Sequence, residues 1–72
     1  MRETLEPAVL AACIKEHAAV DVDDALQTVE RFLSGYTMPG GVVLNLQAAR
    51  KQLQTASSHM AAALLIAERE VR

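Results

Sequence analysis

The sequence predicts an all-α fold: an antiparallel helical hairpin whose first arm is kinked or split into two helices, dimerising into a helical bundle. Three observations predict it. Thirteen of the 72 residues are alanine and only Phe32 and Tyr36 are aromatic, a composition that favours helix. From Val42 to Val71 apolar residues recur at heptad spacing. Near the middle of the chain, Pro39-Gly40-Gly41 punctuates the reversal between the two periodic segments.

The third helix carries the clearest pattern. With Leu46 at heptad position a, Leu53, Met60 and Ala67 follow at a, and Ala49, Ala56 and Ala63 fall at d. Large side chains alternate with methyls, so a neighbouring helix can approach closely and interlock without voids. These seven residues form the expected seam of the hairpin or of a dimer.

In the first arm, Thr4 is the expected cap of an opening helix, with Pro7 inside its first turn. Leu5, Val9, Leu10, Cys13, Ile14 and His17 form its expected apolar face. Asp21 has the chemistry of an N-cap, and Asp23 and Asp24 suit the positive end of a helix dipole, so a second helix, or a kinked continuation of the first, is expected to start there. Val22, Leu26, Val29, Leu33 and Tyr36 continue the periodicity. Gly35 is available for a left-handed stop, and the third helix is expected to begin between Pro39 and Val42. Folding equal arms about residues 36–41 pairs positions that sum to about 77, which sets Leu33 near Leu44, Val22 near Ala56 and Leu10 near Ala67. Fraying is expected only in the first few residues and near Arg72.

Length leaves room for one domain over residues 1–72. A hairpin so rich in alanine holds a thin core, and small folds without disulfides or metal commonly gain stability by oligomerising, so a homodimer is expected. The formal charge of -2, with basic residues scattered, makes no stripe for a phosphate backbone, and no nucleic-acid partner is expected. The longest apolar run, Met60 to Ala67, is too short to span a bilayer. A single cysteine fits a reducing, cytoplasmic setting. Leu10-Ala11-Ala12-Cys13 has the residue types of a lipoprotein cleavage site, but Glu3, Glu6 and Pro7 interrupt the apolar leader that such a site needs.

Candidate chemistry is sparse. Cys13 and His17 share a helix face, and the expected register sets His59 opposite, three donors for a thiol or metal sensor without a fourth ligand. Ser57-Ser58-His59 cannot act as nucleophile and base, because consecutive helical positions diverge. Gly40-Gly41 lacks the strand and lysine of a phosphate loop, and Asp21, Asp23 and Asp24 lack calcium-loop spacing. No enzyme activity and no cofactor are expected.

Surface left over after hairpin closure carries the functional expectation. Ala61 to Ala67 is apolar all round, so Leu64, Leu65 and Ile66 require a second cover. Phe32, Tyr36 and Met38 gather at the turn, where aromatics and methionine make adaptable anchors. The expected function is a non-enzymatic interaction module that dimerises and binds a larger protein, occluding or modulating it as an inhibitor or chaperone-like adaptor. A purely structural self-associating module is one alternative, and a thiol or metal sensor using Cys13, His17 and His59 is the other. In size and shape the hairpin resembles secretion-system co-chaperones, phage or plasmid modulators of host regulators, and hairpin dimers that form four-helix bundles, a likeness of architecture alone.

Overall fold

The computed structural model describes residues 4–71. The first arm comprises α1 (Pro7–Cys13), a π-helical segment (Ile14–Ala18) and α2 (Ala19–Gly35); the second is α3 (Gly40–Val71). α2 packs on α3 near the turn, and α1 packs on α3 at the open end. The fold is an all-α hairpin, with no strand among the described residues. The fraying expected at the first few residues and at Arg72, and Glu3 of the rejected leader, fall on or beyond the edges of the described residues.

The ends differ from the sequence expectation in instructive ways. Glu6, not Thr4, precedes the first helix, with extended backbone (φ -61°, ψ 146°) and no side-chain cap. Pro7 follows at the first helical position, where its missing N–H leaves nothing unpaired. The Leu10 N–H donates to the Glu6 carbonyl at 2.9 Å.

No second helix starts at Asp21. Ala18 and Ala19 keep right-handed helical dihedrals, so the N–H groups that Asp21 was expected to cap are already used by the preceding turn. The irregularity lies earlier, where the Ala19 N–H donates to the Ile14 carbonyl five residues back. Asp23 instead accepts a hydrogen bond from the Ser57 hydroxyl across the hairpin, at 3.1 Å.

The turn also departs from expectation. No glycine in the described chain has positive φ, and α2 is terminated by Tyr36 in extended conformation (φ -135°, ψ 144°). An extended connection needs no left-handed residue. The Pro39 carbonyl then accepts from both Val42 (3.0 Å) and Val43 (3.1 Å), opening α3.

Packing follows two stripes. In α3 the half-buried positions include Leu46, Ala49, Leu53, Ala56, Met60 and Ala63, and Ala67 is buried at 4% exposure. In the first arm they are Ala11, Ile14, Ala18, Ala19, Val22, Leu26, Val29 and Leu33. Leu5, Val9, Leu10, Cys13 and His17 are exposed, so of the expected first-arm face only Ile14 is turned inward.

The π segment explains the swap. Stripe residues on α3 are spaced 3-4-3-4-3-4 from Leu46 to Ala67, while those on the first arm run 3-4-4-4-3-4 from Ala11 to Leu33, one residue more. A π turn accommodates one residue more than an α turn, which holds Ala11 and Ile14 on the face of Val22 and Leu26. The large residues beside them are thereby rotated outward.

Val22 and Ala56, an expected pair, are both half-buried, and the next residue of each arm, Asp23 and Ser57, is joined by the cross-hairpin hydrogen bond. Two expected pairings at the ends are not seen: Leu44 is 68% exposed instead of packed on Leu33, and Leu10 is exposed instead of against Ala67.

The result is a plate one helix layer thick. Its principal extents are 49 × 25 × 15 Å and its radius of gyration is 15.7 Å, against about 11 Å for a compact chain of this length.

Candidate functional site

Two apolar regions are the candidate site, and neither forms an enclosed pocket. The three consecutive residues Leu64, Leu65 and Ile66 are spread by helical geometry, since neighbouring positions diverge by about 100°. Leu64 is half-buried in the hairpin, while Leu65 (53%) and Ile66 (58%) are exposed. They do not act as a single anchor.

At the turn, Phe32 and Tyr36 lie one helical turn apart, and their rings meet at a centroid distance of 5.4 Å with a 36° tilt. The pair forms a continuous aromatic ledge, and Tyr36 is 62% exposed. Met38, within the connection itself, is half-buried. Sequence reasoning missed Leu44, which stands two residues before the seam residue Leu46 and points outward, and missed Leu5, Val9, Leu10 and Val20 on the outside of the first arm. The signal for the latter was the extra residue in the stripe spacing.

The plate has two broad faces. One carries the Asp23–Ser57 bond and two shallow grooves. The first groove is lined by Glu30, Leu33, Ser34, Arg50 and Gln54, the second by Ala8, Ala11, Glu68 and Val71. On α3, Arg50, Gln54, Ser57, Glu68 and Val71 keep a common 3.5-residue phase, so all lie along one edge. The opposite edge of α3 repeats Ala49, Ala56 and Ala63, with Ile66 three residues on. Across from it Leu10, Ala18, Ala25 and Phe32 follow at eight, seven and seven residues, the eight including the extra π residue. At the same phase stand the exposed Asp21, Thr28, Asn45, Gln52 and His59, so both faces mix polar with apolar side chains.

The polar side chains mostly satisfy themselves locally. Thr28, Ser34, Thr55 and Ser58 hydroxyls donate to carbonyls one turn back, and the Asn45 amide donates to the Gly41 carbonyl at 2.7 Å. Ser57 differs in reaching Asp23, but His59 stands about 200° around the helix from Ser57, so serine, acid and imidazole form no relay. Cys13, His17 and His59 are exposed, and no three metal-ligating side chains gather among the described residues. No helix among the described residues is long and apolar enough to cross a membrane. No family model, no curated protein and no solved structure matches this chain.

Proposed function

We propose that this chain is a non-enzymatic protein-interaction module: a helical hairpin that self-associates and uses its remaining apolar surface to bind and occlude a larger protein. One observation carries the reading. A compact chain of 7.8 kDa exposes about 4,400 Å², whereas this one exposes 5767 Å². The excess is apolar in good part, with Leu10, Phe32, Tyr36, Leu44, Leu65 and Ile66 all exposed. An isolated plate this thin gains little from burial, and association supplies what the fold lacks.

Self-association and partner binding divide that surface. The turn end, with Tyr36, Met38 and Leu44, and the outer Leu65 suit a partner of larger size, because an aromatic ledge and a methionine make anchors that fit a groove. Occlusion follows if the groove is one that the partner uses for its own assembly. A reducing, cytoplasmic setting suits the exposed Cys13 thiol, which an oxidising compartment would cross-link.

The test joins solution mass to capture. Light scattering across a dilution series is expected to give a dimer, and co-purification from the native host is expected to retain a larger protein. Tyr36→Ala should release that protein while leaving the melting temperature within about 2 °C, as a surface substitution does. Recovery of this chain alone would leave the purely structural module; a chain that stays monomeric and captures nothing would overturn both.

A further inference from the structure

We propose that the first arm is a two-register element: its sequence holds two seams for α3 that differ by one residue, and the charge of Lys15 selects the one that requires the π-helical segment. A neutral, apolar residue at position 15 releases α1 into an unbroken α-helical register, turned by about 100° on α3. The device belongs to the single chain and does not depend on self-association.

Both seams lie upstream of Val22. The observed one runs through Ala18, Ile14 and Ala11, all half-buried. The other keeps the 3-4 alternation of α3 without a surplus residue and runs through Ala19, Lys15, Ala12, Ala8 and Leu5. Of these only Ala19, which borders both seams, is half-buried; Lys15, Ala12 and Ala8 are exposed, and Leu5 is 44% exposed. Apolar bulk does not decide between the two, since Ala19 and Ala12 match Ala18 and Ala11, and Leu5 stands against Ile14. Backbone hydrogen bonding favours the second, because an unbroken α-helix avoids the i→i−5 turn in which the Ala19 N–H donates to the Ile14 carbonyl.

Lys15 is the side chain that opposes it. From the bonded pair Asp23 and Ser57, eight residues along the first arm lead to Lys15, and eight along α3 lead into the run Met60 to Ala67, which has no carboxylate or amide side chain. In the unbroken register the ammonium group faces these apolar side chains without an acceptor, and its desolvation outweighs one π turn. The π segment turns Lys15 to solvent and sets Ile14 in its place. Release of the device therefore changes what the open end presents. Leu5 turns inward, and Ile14 turns outward to join Leu10 and Cys13.

Thiol protection reads the register. Cys13 is the one cysteine of the chain, so in a Cys13→Ser background Ala11→Cys probes a half-buried position and Ala12→Cys an exposed one, each timed by iodoacetamide alkylation at low protein concentration. With Lys15 in place, Ala12→Cys protein is expected to react faster than Ala11→Cys protein. Lys15→Leu should reverse that order, while Lys15→Arg, which keeps the charge, should preserve it. Deleting Glu16 removes the surplus residue, so in that shortened chain Lys15→Leu should leave Ala11→Cys the slower of the two. An order unchanged by Lys15→Leu overturns the device, as does a reversal that persists in the chain lacking Glu16. Reversal by Lys15→Arg overturns charge as the selector. Equal, fast alkylation at both positions in Lys15→Leu protein means that α1 has left α3 instead of turning on it, and overturns the device as well.

Discussion

The two arms of the hairpin present matching stripes by different means. α3 keeps an unbroken 3-4 alternation over its whole seam, whereas the first arm must fit twenty-two residues between Ala11 and Leu33 into the same six steps that α3 makes in twenty-one. The first arm absorbs the surplus at the π segment Ile14–Ala18 without breaking its helix. One arm is therefore the ruler and the other is adjusted to it. A single i→i−5 turn loses some hydrogen-bond quality, yet it spares the far larger loss of turning α1 off α3.

This asymmetry can be broken by moving single residues. Inserting one alanine after Ala56 rotates Met60, Ala63 and Ala67 by about 100° from the first arm. The expected result is loss of cooperative thermal unfolding, because the packing removed equals most of the roughly 5 kcal/mol that a domain this small possesses. Deleting the exposed Glu16 does the opposite: it converts the π turn to an α turn and leaves every stripe residue inward. Circular dichroism melting should show that deletion within about 1 kcal/mol of wild type, which is 4–8 °C at this size. Equal damage from both changes would mean that the π segment does not work as a one-residue skip.

The same asymmetry decides what could be read from the sequence. The hairpin is legible because both arms are periodic and a Pro-Gly-Gly reversal stands between them. On the first arm, two faces compete: one of large residues through Leu5, Val9, Leu10 and Cys13, and one of small residues through Ala11 and Ala18. Size favours the first, and the extra residue that selects the second is visible only against a fixed ruler. The turn end is harder to read for a different reason. Equal arms folded about residues 36–41 set Leu44 against Leu33, whereas the seam that starts at Leu46 puts Leu44 at an outward position, and its 68% exposure follows the seam. The Asp21–Asp24 run shows a third limit, since a good cap residue is no cap where the helix runs through it.

Two alanines of α3 compare a seam position with an outer one at identical chemistry. Ala67 is buried at 4% exposure, and Ala62 is exposed. Ala67→Asp is expected to destabilise by about 2–3 kcal/mol through an unpaired charge against the first arm. Ala62→Asp should stay within about 0.5 kcal/mol, as exposed positions do. Urea denaturation at one protein concentration measures both. Near-equal values would mean that α3 is covered on its outer side in solution.

The smallest effects lie at the glycines that flank the turn, one on each arm. Gly35 closes α2 and Gly41 belongs to the first turn of α3; neither has positive φ, and a Cβ at either meets no atom within 4 Å. Neither glycine is therefore required by the backbone of a single chain. Replacing each by alanine should stabilise the hairpin by about 0.5–1 kcal/mol, mainly by narrowing the unfolded ensemble, and melting curves resolve a shift of that size. Equal gains at both positions would show the turn end open to solvent on both arms. A gain at Gly35 with a loss at Gly41 would show that something approaches the start of α3 closely. The concentration dependence of that loss then separates a second copy, whose binding adds to apparent stability by mass action, from a feature of the single chain, which does not vary with dilution.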